Sequence, residues 1–287
     1  MKSGFYLKIL SAVICFLIVS VVVFPCGERA FAMPFYRLKP QFLVLRAEFS
    51  TEYSNSSEER KHNIMLAAKS LDKTLIDVNG EFSFNRTVGK RTEKRGYKSA
   101  KIIVHGEFVE GVGGGVCQVS TTLSNAALLA GLKITECHPH SLVVNYVAPS
   151  FDAMVNSGSA DLKFVNDTDN PVILRARADG NRITVSVYGE PMRETYIRKS
   201  VVKEEIRGEY IVLKDEKNEY PDLVQGEKRV KTYAKNGKVS EGMLIKIVNG
   251  KTVSVKTVRR DRYAAVKGVI IEGTATEIVL SEKPEAA

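Results

Sequence analysis

Residues 106–132 read GEFVEGVGGGVCQVSTTLSNAALLAGL. Three consecutive glycines, Gly113, Gly114 and Gly115, run straight into Val116 and Cys117, and the residues after them have helical periodicity. Val119, Leu123, Ala126, Ala127 and Ala130 recur at intervals of three and four, and Gly131 is a natural C-terminal stop. Cys117 therefore falls in the first turn of a helix. There the unpaired N–H groups and the positive end of the helix dipole favour thiolate over thiol, against a free value of about 8.5. Glycine also lets backbone N–H groups turn toward a bound carbonyl, so Gly113, Gly114, Gly115 and Val116 are the candidate oxyanion donors. Gln118 and His138 are added as candidate substrate contacts.

A nucleophilic cysteine needs a base, and the chain offers four histidines: His62, His105, His138 and His140. The last two lie in CHPHS, where Pro139 disfavours helix at His138 and predicts an extended segment with both rings on one side. Asp152 or Ser141 is placed to orient an imidazole. Three bland readings stand beside this one: Cys117 as a buried small hydrophobe, Cys117 paired with Cys137, or zinc held by Cys117, Cys137, His138 and His140. The zinc reading crowds three ligands into four residues. Neither a metal nor any other cofactor is expected.

Outward from the glycines the pattern is mixed. Ser56 and Glu59 form a capping-box pattern ahead of Ile64, Ala67, Ala68, Leu71 and Leu75, which predicts a helix with one buried face. Asn79-Gly80 turns into a short strand over 81–84, and 102–104 reads as another, ending at Gly106. Residues 172–176 pair with 182–188 across Asp179-Gly180-Asn181. Beyond Glu190-Pro191 the composition shifts to Lys, Glu and Val, with KNGK at 235–238 and VNGK at 248–251 read as hairpin turns. The fold class is α+β, mainly β: residues 33–190 form one domain with a cysteine at a helix N-terminus, and 191–287 a small all-β module. Because the stretch between them is polar, a fragment of residues 33–192 is expected to fold and keep any activity.

Length and charge narrow the function classes. With 287 residues, 44% hydrophobic and 26% charged, the chain is neither wholly disordered nor a multi-span membrane protein. Lys2 and Lys8 precede an apolar run from Ile9 to Phe24, and Ala30-Phe31-Ala32 supplies small residues where a signal peptidase reads. Residues 1–32 are thus a signal peptide or an uncleaved N-terminal anchor, which would be the chain's only contact with a membrane. The expected location is extracytoplasmic. The net charge of +9, with a dense patch KRTEKRGYK at 90–98, then points to anionic wall polymers or stem peptides as partners rather than nucleic acid, unless the patch is simply a solvated loop.

Five stretches carry a resemblance: GEFSFN at 80–85, GGGVCQVSTTL at 113–123, NAALLAGL at 125–132, HPHS at 138–141 and DLKFVN at 161–166. In this order they resemble the VanW domain family, over about Asp77 to Tyr188. The family's association with wall-binding modules, also found beside L,D-transpeptidases, implies a cysteine-dependent role in peptidoglycan cross-linking. By motif match Cys117 would be the nucleophile and His140 the base, with Asp152 as their partner. Cys137 stands where the family usually has a basic residue, and Ser150 where a glycine is frequent. The stretch from Val224 to Thr274 more weakly resembles the glycine-containing β modules that follow VanW domains in wall proteins.

The reading is acyl transfer on stem peptides, as transpeptidase or carboxypeptidase; the rival is a non-catalytic wall-binding protein whose glycine loop holds an anion. For the leader, N-terminal sequencing of the protein from secreting cells is expected to begin at Met33. Recovery of intact Met1 there would show an anchor.

Overall fold

The computed structural model describes residues 43–104 and 106–275. The leader, the expected cleavage before Met33, and His105 lie outside the described residues.

Alternating apolar residues build the central sheet. Strands β1 (Val44–Glu52), β9 (Arg182–Gly189), β8 (Val172–Ala178) and β2 (Leu75–Ile76) lie side by side in that order, all antiparallel. Ile183, Val185 and Val187 occupy every second position of β9 and are fully buried, giving the sheet one apolar face. Two helices cover it: α1 (Glu58–Leu71) through Ile64, Ala67, Ala68 and Leu71, and α3 (Val116–Leu129) through Val119, Leu123, Ala126 and Ala127.

The capping box is displaced by one residue. Ser57 is the N-cap of α1, its hydroxyl accepting the Arg60 N–H at 3.3 Å, while Ser56 Oγ accepts from the Arg60 guanidinium at 2.7 Å. Leu75, read as the end of the helical stripe, is exposed on β2. The helix has already closed at Asp72, and Lys73 turns left-handed at φ 66°.

A second sheet runs β3 (Glu81–Ser83), β7 (Lys163–Val165), β6 (Lys133–Glu136), with the Phe82 and Phe164 rings stacked at 4.7 Å. The short helix α2 (Phe84–Val88) follows β3. β4 (Ser99–Val104) and β5 (Glu107–Val112) form a two-stranded ribbon leading into the glycines. The basic stretch at 90–98 is only partly a solvated loop. Arg95 donates to Val88 O and Lys90 O, and Arg91 reaches inward to Asn85 Oδ1 at 2.7 Å. The hairpin across 179–181 joins β8 and β9, with the Asp179 carboxylate accepting the Asn181 and Arg182 N–H groups.

Past Gly189 the chain is all β. β10 (Glu194–Ile206), β13 (Gly237–Val248) and β14 (Lys251–Tyr263) form an antiparallel sheet. β11 (Tyr210–Lys214), β15 (Gly268–Glu272) and β12 (Lys228–Thr232) form another, in which β11 is parallel to β15. VNGK is the hairpin between β13 and β14, with Asn249 at φ 51° and Gly250 at φ 74°. KNGK is not a hairpin. Its flanking strands, β12 and β13, pair in different sheets, so the stretch crosses between them. The whole is α+β and mainly β, and among the described residues no helix is long and apolar enough to cross a membrane.

Sheet membership changes near residue 190, yet side chains cross that point. Arg198 of β10 lies over the rings of Phe49 and Phe151, at 4.1 and 4.9 Å, and bonds Asn125 of α3. Burial pulls its pKa down to about 10. Gly242 of β13 passes so close to Ser150 that a Cβ would lie 2.7 Å from the Ser150 carbonyl oxygen.

Leu123 is fully buried between α3 and the sheet. Leu123→Ala is expected to lower unfolding free energy by about 2–5 kcal/mol, read as a lower urea midpoint at constant slope. Val255→Ala, at an exposed position of β14, should stay within about 0.5 kcal/mol of the parent.

Candidate active site

The glycine turn sets where α3 begins. Gly115 is its N-cap at φ 104° and Gly113 stands at φ 89°, conformations that L side chains rarely adopt. Gly114 serves close approach instead: a Cβ there would lie 2.7 Å from Ala100 O on β4. The Gly113 N–H donates to Lys98 O at 3.0 Å and the Val116 N–H to Gly113 O at 3.1 Å, so neither is left for an oxyanion. Among the described residues the N–H groups of Gly114, Gly115 and Cys117 make no such backbone bond, which moves the candidate donor set toward the cysteine itself.

Gln118 is not a free substrate contact. It is 1% exposed, its Oε1 accepting from Arg60 at 2.8 Å and its Nε2 donating to Thr51 Oγ1 and Glu52 O, each at 2.9 Å. It ties α3 to α1 and β1. The two histidines of CHPHS also part, contrary to the expectation of a shared side. Glu136 draws His138 outward, Nε2 to Oε1 at 2.9 Å, while the His138 backbone bridges to Met154. His140 turns inward and is 6% exposed.

The imidazole of His140 is fixed by Asp152. Its Nδ1 donates to Asp152 Oδ2 at 2.7 Å, and its backbone N–H donates to the same oxygen at 2.6 Å. With Nδ1 so engaged, Nε2 is the nitrogen left to act on Cys117, whose thiol itself donates to Val155 O at 3.4 Å. Cys117, His140 and Asp152 are thus brought together in series, a nucleophile, a base and an orienting carboxylate. Ser141, the other candidate orienter, instead offers its carbonyl to the Ala264 N–H.

Other groups around the site escaped the sequence reading. Asp152 Oδ1 accepts from Arg259 Nη2 and from the Tyr263 hydroxyl, each at 2.6 Å, and both donors come from β14. Their signal was the alternation in RRDRY: Arg259, Asp261 and Tyr263 share one face, and Asp261 and Tyr263 on it are buried. Arg259 also reaches Cys137 Sγ at 3.1 Å. Both cysteines are free, and no cluster of three potential metal ligands occurs among the described residues. Cys117 and His140 line a groove of about 2220 Å³ shared with Arg60, Arg91 and Tyr146, which extends to Phe108 on the ribbon and Lys235 beyond β12. These three residues belong to no motif, since α1, the basic stretch and the loop after His140 deliver them separately.

Residues 59–188 match the family described as VanW like protein. The chain is 43% identical over 152 residues to the uncharacterized protein YoaR of Bacillus subtilis, a match covering 53% of this chain and 50% of that protein. It is 31% identical over 139 residues to the vancomycin B-type resistance protein VanW of Enterococcus faecalis, covering 46% of this chain and 50% of that one. The chain spans about half the length of the curated relatives it matches. Among solved structures, the IgA1 protease G5 domain is similar at 27% identity and TM-score 0.20, covering 29% of this chain and 90% of that one. HP0197-G5 is similar at 17% identity and TM-score 0.17, covering 29% and 100%.

The network separates the protonation states of its members. Burial disfavours a charged Cys117, but the neighbouring His140, with smaller help from the Val155 backbone and Arg91, brings its pKa below the ordinary thiol value. Burial likewise opposes a charged His140, and the bond to Asp152 and the neighbouring Cys117 overcome it, raising the ring to about 9. Asp152 is held at about 2: burial pushes upward, and His140, Arg259 and Tyr263 outweigh it. Burial pushes Cys137 up. Stability from Asp152 is therefore present above its free value of about 3.9 and lost as pH falls toward 2. That from His140 is full below about 6.5 and lost as pH rises through 9.

Alkylation of Cys117 by iodoacetamide is accordingly expected to persist at about pH 6–7, well below a free thiol, with Cys137 slower. His140→Ala should move the Cys117 profile to higher pH, and His62→Ala, on the outer face of α1, should leave it in place. Arg259→Met in the full-length chain should cost about 3–5 kcal/mol in a denaturant titration, because Asp152 stays buried with a donor removed. A loss within about 0.5 kcal/mol of the parent, that of a surface change, would contradict the bonding described.

Proposed function

For a chain that carries a VanW-like domain over residues 59–188, we propose cysteine-dependent acyl transfer on peptidoglycan stem peptides at the bacterial cell wall. The observation that carries this reading is the Cys117–His140–Asp152 series, with the His140 ring locked by a 2.7 Å bond to a carboxylate that is itself buried. The similarity to a vancomycin B-type resistance protein supports a wall context. The basic sequence and the leader support an exported protein whose partners are stem peptides or anionic wall polymers.

The reaction begins from the thiolate–imidazolium pair. Cys117 Sγ attacks the carbonyl carbon of the residue before the scissile amide, and the electron pair of the C=O bond moves onto oxygen. Backbone N–H groups at the start of α3, including that of Cys117, are the groups available to stabilise that charge. As the tetrahedral centre collapses, the C–N bond breaks and His140 gives its Nε2 proton to the departing amine, leaving a thioester and a neutral imidazole. An amine of a second stem then attacks the thioester, His140 takes its proton, and the thiolate departs. Water in place of that amine gives hydrolysis. Throughout, Asp152 holds the tautomer and direction of the ring without itself taking the proton. The groove is larger than an ordinary small-ligand pocket of roughly 300–1,000 Å³, which supports a branched donor and an acceptor stem together.

Purified protein incubated with disaccharide-tetrapeptide is expected to release D-alanine and to carry a Cys117-linked adduct detectable by mass spectrometry. Cys117→Ser should cut turnover by about 10³-fold or more while binding to wall fragments persists. Equal wall binding by both forms with no D-alanine from either would establish the non-catalytic reading.

A further inference from the structure

Two guanidiniums flank Cys117 and have no carboxylate of their own. Arg60 spends Nη1 on Ser56 Oγ at 2.7 Å and Nη2 on Gln118 Oε1 at 2.8 Å. Arg91 spends Nη1 on Asn85 Oδ1 at 2.7 Å and Gly89 O at 3.1 Å. All four acceptors are neutral. Asp161, a carboxylate whose charge reaches Arg91, is turned to Ser83 Oγ at 2.6 Å and to the Asn85 N–H at 2.9 Å. Among the described residues neither arginine lies within ion-pair distance of an acid, whereas Arg259 nearby has two.

Both side chains are half-buried in the groove, and burial lowers their pKa values with only weak compensation, Cys117 among its sources. A desolvated cation without an anion is the costly arrangement that folded proteins avoid or reserve for a ligand. Asp152 and Asp261 both pair with Arg259, so the thiolate and the more distant Asp161, already bonded to Ser83 and Asn85, are the negative charges set against Arg60, Arg91 and His140. The pocket is therefore short of negative charge until something fills it. Each guanidinium keeps N–H groups not committed to the bonds above, and a planar fork suits a carboxylate.

We propose that Arg60 and Arg91 form a carboxylate subsite beside Cys117, which holds the free α-carboxylate of the amino acid that leaves when the thiol attacks. This rests on the acyl-transfer reading for the identity of the leaving group; the subsite itself rests on the two arginines. In such a donor the α-carboxylate is separated from the scissile nitrogen by one carbon, so an anion gripped by the guanidiniums brings the adjoining carbonyl to the sulfur. The arginines are specificity residues, and proton transfer remains with His140.

The test needs no peptidoglycan. Cys117 is alkylated in parallel with iodoacetate, which carries a carboxylate, and iodoacetamide, its neutral isostere, and the Cys117 peptide is quantified by mass spectrometry. The ratio of the two rates cancels any change in thiolate fraction. In the folded protein it is expected to exceed the ratio for the urea-unfolded chain by about tenfold, and to fall toward that reference in Arg60→Gln and Arg91→Gln. A folded ratio equal to the unfolded one, or one that both substitutions leave at the parent value, would overturn the subsite. A second measurement uses the unaltered protein: N-acetyl-D-alanine should slow iodoacetamide labelling saturably, and N-acetyl-D-alaninamide should not. Equal protection by both, or by neither, also overturns it. Anion discrimination without D-alanine release would keep the subsite and sink the acyl-transfer reading, whereas release without discrimination would do the reverse.

Discussion

Asp152 is a carboxylate with 1% exposure, and four hydrogen bonds make that burial tolerable. Two come from His140, one from Arg259 and one from Tyr263. A buried ionised carboxylate missing a donor is destabilised by kilocalories, so the loop at 138–141 and strand β14 are both obliged to meet at this residue. One oxygen faces the histidine and the other the C-terminal sheet. The direction of the imidazole, and through it the relation of His140 to Cys117, is set by a group whose second oxygen is anchored by residues far along the chain, at 259 and 263.

That anchoring alters the meaning of the boundary near residue 190. By sheet membership the boundary is real, since β9 ends the central sheet and β10 begins another. By chemistry it is not, because Arg259 and Tyr263 complete the bonding of Asp152, and Ser150 is clasped from the same side. The fragment of residues 33–192 would keep the glycine turn, Cys117 and His140 but lose both donors to Asp152 Oδ1. The all-β region is accordingly part of the framework of the site, whatever else it binds.

Ser150 and Cys137, the two positions at which the sequence departs from the pattern it resembles, fit this framework. Ser150 stands at φ 64°, a left-handed position that glycine adopts most readily. Here the conformation is held from β13 and β14: the Ser150 N–H donates to Tyr263 Oη at 2.7 Å, and its hydroxyl meets Ser240 Oγ at 2.7 Å. Arg259 brings a guanidinium to within 3.1 Å of the Cys137 sulfur. Positive charge at this place is supplied from β14.

Local sequence determined what local physics controls. Three glycines before an apolar stripe at helical spacing fix a turn and a helix start, so Cys117 at that start was legible, as were the Asn-Gly turn at 249–250 and the β8–β9 hairpin, whereas His140 and Asp152 were singled out from His138 and Ser141 by the resemblance alone. Where local pattern misled, a non-local partner intervened: KNGK failed as a hairpin because its flanking strands belong to different sheets, and His138 left His140 because Glu136 holds it. Gln118 looked available beside the cysteine until Arg60, Thr51 and Glu52 claimed its amide. Only the tertiary structure could assign Arg60, Arg91, Arg259 and Tyr263 to the site. Hydrophobic periodicity reports which face of an element is buried, but the partner of a buried charge is chosen by where distant elements meet, and that is encoded in no window of the sequence.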